Sequence, residues 1–322
     1  MKGPPEVSVV MSVYNGASDL AATIDSVLSQ EGVDLEFVVV NDGSTDQSGQ
    51  ILSEYAQRDD RLRIVHQENT GLTRALIRGC EAARGELIAR QDAGDVSLPT
   101  RLKSQVALLR EHQDCVLVSC WTDMLGPKGE FLYTLRGTGA AASPVNVLSP
   151  STEWGVIDGP TSHPSAMFRA KHYFQCGGYR SEFYYGQDWD LWYRLAALGT
   201  FCVLQKTLCV CRFSVGSVSG SWRDEQTQFA QLSRKAMSMR ASGASDELVL
   251  GEARQLLSSL KRKVSRHNKS SANYFIGKCL LENSDAAAGR YLMSAVREHP
   301  LHLPTWLSLG RYLFSKGKNQ AL

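Results

Sequence analysis

The fold is decided by residues 7–40, which read VSVVMSVYNGASDLAATIDSVLSQEGVDLEFVVV. Val7–Val13 and Leu35–Val40 are near-continuous apolar runs rich in valine, which is typical of parallel strands covered on both faces. Between them, Asp19–Gln30 carries apolar residues at helical spacing, with Ser18 or Asp19 as the N-cap. These residues predict a strand, a helix and a second strand.

The same alternation continues along the chain. We predict helices over Asp46–Asp59, Leu72–Ala83, Pro99–His112 and Asp190–Leu198, and strands over Leu62–His66, Glu86–Arg90, Val116–Cys120, Ser165–Phe168, Phe201–Leu204 and Leu208–Phe213. Glycine and proline are frequent over 126–160, which we interpret as loops with short strands. Strands and helices that alternate in this way predict a doubly wound α/β sheet with right-handed crossovers.

The last third of the chain predicts helices alone. The small, polar segment Ser214–Ser221 indicates a boundary between a domain at 1–215 and a helical extension at 222–322. The extension has predicted helices at Asp224–Arg240, Asp246–Arg266, Ser271–Leu281, Asp285–His299 and Pro304–Ser315. The last two resemble a tetratricopeptide-type hairpin, although stacked repeats need three or more units. A helical tail packed on its own domain is the alternative.

Composition and charge exclude several classes of protein. The 322 residues are 43% hydrophobic and 21% charged, which excludes disordered and fibrous chains. The net charge of +2 conceals an asymmetry, because residues 222–322 contain 16 Lys and Arg against 8 Asp and Glu. Residues 1–221 are therefore acidic, with 19 Lys and Arg against 25 Asp and Glu. An acidic front half argues against nucleic acid as the main partner.

Cysteine usage and hydropathy bear on the location of the protein. Its eight cysteines form no CxxC pair, and no window reaches the ~18 apolar residues of a membrane helix. We expect a cytoplasmic protein. The basic run of Lys261, Arg262 and Lys263, with Arg266, His267 and Lys269 after it, is suited to peripheral contact with anionic lipid on the inner face of the membrane. A solvated helix end is the alternative.

Polar clusters follow three of the predicted strands. These are Tyr14-Asn15-Gly16, the segment from Asn41 to Asp46, and the segment from Arg90 to Asp95. Ligands of open parallel sheets bind beyond the carboxyl ends of the strands, so the three clusters are expected to share one cleft. The alternatives are that Asp-Gly is an ordinary turn and that Asp46 only caps the next helix.

The phosphate-binding motifs of dinucleotide and P-loop proteins, GxGxxG and GxxxxGK[ST], are absent. A diphosphate is instead expected to be neutralised by a divalent cation on carboxylates, for which Asp92 and Asp95 are the candidates. The helix at Leu72–Ala83 begins after Gly71, so its first amides are also placed to face an anion.

Six motifs between residues 5 and 215 together resemble the inverting family 2 glycosyltransferases of GT-A fold, of the type that builds bacterial cell-surface polysaccharides. They are SVVMSVYNG, VVVNDGSTDQS, HQENTGLTRAL, ELIARQDAGDVSLPTRL, HPSAMFR and GGYRSEFYYGQDWDLWYRLAALG. The resemblance implies a nucleotide-sugar donor, above all a UDP-sugar, together with Mn²⁺ or Mg²⁺ and a single displacement with inversion. It also implies a mixed, Rossmann-like sheet that binds the nucleotide.

The resemblance also implies roles for individual residues on the donor side. Tyr14 corresponds to a position beside the nucleotide base, and Asp42 to an aspartate that contacts the base or ribose. Asn15 and Gly71 belong to the same nucleotide-sugar site, and Asp92 opens the DxD-like metal motif.

On the acceptor side, Asp188 corresponds to the catalytic base, which takes the proton of the attacking hydroxyl. Capping of the helix is the alternative role for Asp188 and for Asp190, and the motif position favours Asp188 as the base. His163, Gln187 and Trp189 line the acceptor side by the same resemblance, within an aromatic concentration that includes Trp154, Tyr184, Tyr185 and Trp192. A histidine hydrogen-bonded in its loop is the alternative for His163.

Two residues depart from the family pattern. Gly94 stands where relatives have the aspartate that is the main metal ligand, so the sequence predicts weakened metal use, with Asp95 as the substitute ligand before Asp92. Gln187 stands where an acidic residue is common. The rival to a transferase is therefore a catalytically impaired sugar-nucleotide-binding or scaffold protein. QxxRW is absent, which argues against processive synthases.

Overall fold

The computed structural model describes residues 3–136, 144–145, 160–215, 223–260 and 266–319. Its strands are β1 (Val7–Val13), β2 (Leu35–Asp42), β3 (Leu62–Gln67), β4 (Leu87–Arg90), β5 (Val96–Ser97), β6 (Cys115–Leu125), β7 (Phe131–Leu135), β8 (Pro144–Val145), β9 (Met167–Arg169) and β10 (Thr200–Arg212). Its helices are α1 (Ala17–Leu28), α2 (Ser48–Ala56), α3 (Leu72–Ala82), α4 (Arg101–Glu111), α5 (Ala170–Gln175), α6 (Gln187–Leu195), α7 (Arg223–Ala241), α8 (Glu247–Ser259), α9 (Arg266–Glu282), α10 (Ala288–Glu298) and α11 (Leu303–Asn319).

The sheet is mixed, with strand order β3-β2-β1-β4-β9-β6-β10-β5. The first four strands of this order are parallel, whereas β9 is antiparallel to both β4 and β6. Strands β1 and β2 are buried along almost their whole length, which explains their unbroken apolar composition. The predicted doubly wound α/β fold is confirmed.

The strand order reverses beside β1, which is the feature that positions a ligand site. The chain steps outward from β1 to β2 and β3, and then returns so that β4 lies on the other side of β1. In such sheets the ligand crevice opens outside the carboxyl ends of the strands at this point. Tyr14 follows β1 and Asp92 follows β4, so the fold brings these two predicted residues to the crevice.

Several local predictions were wrong, among them the helix at Asp246–Arg266, since α8 ends at Ser259. The region predicted as two strands, Phe201–Leu204 and Leu208–Phe213, is the single strand β10. This strand continues through the exposed residues Gln205 and Lys206. Helix α1 begins at Ala17, so its predicted caps lie inside its first turn. Helix α6 begins at Gln187 rather than at Asp190. At α1, hydrogen bonds from Gly16 and Ala17 to Ser48 and Asp46 fix the boundary, whereas α6 follows Gly186, which has a φ of 66°.

The chain forms two compact units. The first contains Met1–Thr122, Leu135–Cys211 and Gln228–Ser259, and the second contains Asp123–Thr134, Arg212–Thr227 and Leu260–Leu322. The core of the second unit joins Leu132 and Phe213 to Ile276 and Leu280 of α9. The predicted helical character of the C-terminal region is confirmed by α7–α11.

Some predicted features lie outside the described residues. These are the basic residues Lys261, Arg262 and Lys263, the side chains of Arg266 and His267, and Trp154. Across the part of the chain that the structure describes, no helix has the length and apolar character needed to span a bilayer.

Candidate active site

The loop after β1 is held to the loop after β2. Asn15 has a φ of 51°, and its side-chain oxygen accepts a hydrogen bond of 2.8 Å from the backbone N–H of Thr45. Asp46 accepts one of 3.0 Å from the backbone N–H of Ala17 and one of 2.9 Å from that of Ser48. Asp46 therefore binds backbone N–H groups in the first turns of both α1 and α2. Tyr14, which directly follows β1, is exposed.

Asp42 organises the turn that starts α3. Its buried carboxylate accepts hydrogen bonds of 2.9 Å from the backbone N–H groups of Thr70 and Gly71, and one of 2.7 Å from the side chain of Gln67. Gly71 has a φ of +90°, and an added Cβ would lie 2.5 Å from the ring of Tyr184. The predicted donor residues Asp42 and Gly71 therefore meet, and the segment at Tyr184 packs directly on them.

Arg90 is the centre of the polar cluster at the end of β4, and its side chain is completely buried. It forms an ion pair with Asp92 and donates a hydrogen bond of 2.6 Å to the carbonyl of Val10 in β1. Its Nε donates to Nε2 of His163 at 3.2 Å. Arg90 thereby fixes Asp92 at the carboxyl edge of the sheet, while 35% of the Asp92 side chain stays exposed to the crevice.

His163 is held in the neutral form. Burial and the guanidinium of Arg90 lower the pKa of His163 well below its usual range. Because Arg90 donates to Nε2, the ring proton lies on Nδ1, and the hydroxyl of Tyr179 contacts the same Nε2 at 2.6 Å. His163 is thus a hydrogen-bonded residue of this cluster, and its ring also lies 6.4 Å from that of Trp192.

The two aspartates at the start of α6 have different environments. Asp190 is fully buried and is bound by Arg180 and Arg194, with Arg194 Nη2 at 2.6 Å. Asp188 instead accepts a hydrogen bond of 3.0 Å from the backbone N–H of Trp189. Burial raises the pKa of Asp188 to about 6, and the Asp92 carboxylate adds to this rise.

The raised pKa of Asp188 makes it chemically suited to proton transfer. A general base works best when its pKa lies near the operating pH and when it is not held in an ion pair. Asp190 fails the second condition because two guanidiniums bind it. The geometry thus separates two carboxylates that are close neighbours in the sequence motif and favours Asp188 as the base.

A model of the family described as Glycosyl transferase family 2 matches residues 8–170, which is half of the chain and includes Asp42, Arg90, Asp92 and His163. The chain belongs to glycosyl transferase family 2. The expectation from the sequence motifs is confirmed.

Curated relatives carry the same family character. EpsE of Bacillus subtilis, whose name describes it as a glycosyltransferase, is 33% identical over 200 residues. The match covers 60% of this chain and 68% of EpsE. The O-antigen biosynthesis glycosyltransferase WbnJ of Escherichia coli is 29% identical over 194 residues, covering 59% of this chain and 71% of WbnJ. The match to a glycosyltransferase of Rickettsia felis spans 34% of that longer protein.

Solved structures share the fold at low identity. S. aureus TarS 1–349 in complex with UDP-GlcNAc superposes with a TM-score of 0.59 and 17% identity, covering 95% of this chain and 89% of that chain. The mannosyltransferase PcManGT from Pyrobaculum calidifontis, in complex with GDP-Man and Mn²⁺, gives a TM-score of 0.55 and 20% identity, covering 97% of this chain and 85% of that chain. The family 2 glycosyltransferase thus has a GT-A-like fold.

The metal candidates of this glycosyltransferase differ in access. Asp95 is 8% exposed, and the thiol of buried Cys211 donates a hydrogen bond to its carboxylate. The side chain of Asp92, by contrast, is 35% exposed. Gly94 has a φ of +98° and donates its N–H to Thr23 Oγ1 at 3.0 Å. No three His, Cys, Asp or Glu side chains cluster into a metal site among the described residues. A cation here fits one protein carboxylate, with phosphate oxygens and water completing its shell.

Gln187 and Trp189, which were predicted for the acceptor side, lie at the start of α6. Gln187 is 6% exposed and lies beneath the helix start, whereas Trp189 is half-buried. The Trp189 ring lies 5.0 Å from the ring of Trp192, which is buried in the core. Of these two residues, Trp189 is therefore partly accessible for contact with a ligand, whereas Gln187 is buried.

Sequence reasoning missed Tyr179 and Arg101, which organise this site, and it named Arg90 in a polar cluster without its central role. Arg90 and Tyr179 form the cluster with His163. Arg101 is fully buried next to the loop at residues 91–95. Arg101 donates to the carbonyl of Arg90 at 2.8 Å and to Ser97 Oγ at 2.7 Å. The available signal was an arginine that ends an apolar strand, since a buried arginine needs several acceptors and usually organises a polar network.

Proposed function

We propose that this chain is an inverting glycosyltransferase that moves one sugar from a nucleotide-sugar donor to a hydroxyl of a glycan or lipid-linked acceptor. A UDP-sugar is the leading candidate for the donor. Its setting is the assembly of a cell-surface polysaccharide or glycolipid. The observation that carries the proposal is Asp188, a carboxylate with a pKa of about 6 beside Asp92, while Asp190 is bound by two arginines.

The proposed reaction is a single displacement. The acceptor oxygen forms a bond to the anomeric carbon as the bond from that carbon to the diphosphate breaks on the opposite face, so the configuration inverts. Asp188 takes the hydroxyl proton during bond formation. Asp92 would hold a divalent cation, which when bound would supply Lewis-acid stabilisation of the leaving diphosphate. Arg90 keeps the Asp92 carboxylate in place through their ion pair.

Support for the donor class comes from two directions. The crevice at the β1–β4 switch point is where α/β sheets bind nucleotides, and it carries Tyr14, Asn15 and the turn that Asp42 organises. Solved neighbours were determined in complex with UDP, UDP-GlcNAc and GDP-Man. WbnJ, whose name places it in O-antigen biosynthesis, supports a cell-surface product.

We further propose that the catalytic residues act within residues 1–215, with 222–322 as an extension, and that the protein works at the inner face of the membrane. The site residues named above all lie in the first unit.

The proposal is tested with a panel of UDP-, GDP- and TDP-sugars, in which binding and donor hydrolysis are measured with Mn²⁺ and with EDTA. We expect one donor to bind tightly and to be turned over only with the cation, and we expect Asp92→Ala to lose most of that turnover. The anomeric configuration of the transferred sugar is read by NMR, and retention would refute the single displacement.

One observation favours a second candidate, a sugar-nucleotide-binding protein of impaired activity. Gly94 provides no side-chain oxygen at the family's metal position. Tight donor binding without hydrolysis or transfer to any acceptor in the panel would decide for this candidate.

A further inference from the structure

Helix α11 has two apolar faces, of which one packs inside the second unit. Leu309 is 5% exposed and joins Leu292 and Val296 of α10 in a small core. Thr305, one turn earlier on the same side, is fully buried. This face is an ordinary helix–helix contact, and it fixes the orientation of α11 in the unit.

The opposite face of α11 is apolar and exposed to solvent. We define it by Leu303, Trp306, Leu307 and Leu313, whose exposures are 66%, 48%, 61% and 60%. At 100° per residue these four fall within about 120° of the helix circumference. A Cβ added at Gly310, in the middle of this stripe, would meet nothing within 4 Å. Contiguous exposed apolar surface of this kind marks an interaction site.

The charges around this face identify the partner chemistry. Residues 299–319 contain Arg311, Lys316 and Lys318 and no Asp or Glu, and Arg311 is exposed. Pairing of this face with a second copy would bring like charges together, whereas an anionic surface complements them. An apolar face with cations and no carboxylates is typical of helices that lie in the interface of a lipid bilayer.

Trp306 is prepared for such an interface. Its indole N–H donates a hydrogen bond of 2.7 Å to the carbonyl of Pro300, so its polar atom is satisfied while half of the side chain stays exposed. A tryptophan in this state offers ring surface to lipid without burying an unpaired donor, and tryptophan is favoured at the level of the headgroups.

We propose that α11 docks the protein on membranes that contain anionic phospholipid, with its apolar face inserted among the headgroups and Arg311 against the phosphates. This surface shares no residue with the candidate catalytic site or with the basic run at 261–263. The inference rests on the location at the membrane proposed above and deepens it, and lipid binding itself requires neither donor nor acceptor.

The test compares the full chain on vesicles of phosphatidylcholine alone and of phosphatidylcholine mixed with phosphatidylglycerol. We expect binding to the anionic vesicles only. Leu307→Gln should weaken it about tenfold, since a leucine side chain is no longer buried. Arg311→Gln should weaken it about fivefold, and added salt should do the same. The matched control is Leu248→Gln in α8, because Leu248 is 74% exposed and lies in the first unit; it should bind as the wild type does.

Three results would overturn the proposal. The first is equal binding of the wild type to both kinds of vesicle, or to neither. The second is equal weakening by Leu307→Gln and Leu248→Gln. The third is a dimer that forms with increasing concentration in analytical ultracentrifugation and is dissociated by Leu307→Gln, in a protein that does not bind vesicles. A failure of sugar transfer leaves all of these readouts unchanged, so the two proposals fail separately.

Discussion

At the scale of single residues, Asp188 combines catalytic suitability with an energetic cost. Its folded-state pKa of about 6 exceeds the value of ~4 for an unfolded aspartate, so the folded state binds this proton more tightly. The folding advantage of the protonated form is present below about pH 4 and is lost as the pH rises through 6. Ionised Asp188 therefore destabilises the protein at neutral pH, where the proposed base must be ionised.

The substitution Asp188→Asn should lower kcat by at least about 100-fold while donor affinity stays near that of the wild type. The variant should also be more stable than the wild type above pH 6, by about 1–2 kcal/mol, because the ionised carboxylate is gone. Wild-type kcat/KM should fall with an apparent pKa near 6 as the pH is lowered. Steady-state kinetics over pH and urea unfolding at pH 8 measure these effects.

Asp190→Asn is the matched control on the same helix turn. It leaves Arg180 and Arg194 without their shared carboxylate, so it should cost about 3–5 kcal/mol of unfolding free energy. Near-normal turnover in Asp188→Asn, or equal losses of stability in the two variants, would contradict the assignment of the base.

Gly94 provides a second test at this scale. At a φ of +98° any L residue is strained, although an added Cβ meets only Asp19, at 4.0 Å. Gly94→Asp and Gly94→Ala should therefore both lose about 1–3 kcal/mol of stability. Only the aspartate adds a ligand oxygen, so Gly94→Asp should bind Mn²⁺ more tightly than Gly94→Ala. Titration calorimetry measures this difference, and equal affinities would show that the loop does not face the ion.

Sequence motifs located these residues but not their environments. Asp188 and Asp190 occupy neighbouring positions of one motif, and only the fold shows that Arg180 and Arg194 converge on Asp190. Arg180 reaches it from ten residues upstream, a contact that depends on how α6 packs. Asp95 was the preferred substitute ligand, and its contact with Cys211 depends on a pairing between β5 and β10 that no local pattern predicts.

At the scale of elements, α3 depends on a residue of β2. The backbone N–H groups that begin the helix have no carbonyl partner within it, and Asp42 binds that of Gly71 together with that of Thr70 just before it. The strand pattern predicted where Asp42 would lie, since it ends an apolar run. It did not predict that the carboxylate faces the turn at 67–71 of the neighbouring crossover.

Asp42→Asn should destabilise the protein by about 2–4 kcal/mol, because one of the two acceptor oxygens becomes an NH₂ that faces an N–H donor in a buried site. It should also raise the KM for the donor, since the turn at Gly71 is displaced. Gln67→Leu removes one donor and keeps the carboxylate, so its loss should be about 1 kcal/mol. Chemical denaturation and donor kinetics give both values. Equal losses would contradict the role assigned to the carboxylate.

At the scale of the whole molecule, the two units do not follow the simple order of the chain. The second unit takes Asp123–Thr134 from the middle of the sequence and joins it to the C-terminal helices. The predicted boundary near residue 215 rested on the small, polar composition of Ser214–Ser221. Composition indicates a boundary, but it does not reveal that a hairpin about 80 residues earlier packs with the helices beyond that boundary.

Removal of residues 260–322 should therefore leave a damaged protein rather than an independent catalytic domain. Within the second unit, Leu132 and Phe213 would lose their cover from α9, and the carbonyl of Leu132 would lose its 2.7 Å hydrogen bond from Asn283. The ion pair of Glu130 with Arg290 would also be broken. We expect the chain that ends at Ser259 to bind a hydrophobic dye and to aggregate at concentrations where the full chain stays monodisperse.

The cause of that aggregation is tested by two further substitutions. Leu132→Gln and Phe213→Gln, added to the shortened chain, replace the newly exposed apolar surface and should restore solubility in light scattering. In the full chain the same pair should cost about 5–10 kcal/mol, because two buried apolar side chains are lost from the core. A shortened chain that is monodisperse without these changes would show that the hairpin at 123–134 needs no cover from α9–α11, and it would contradict this prediction.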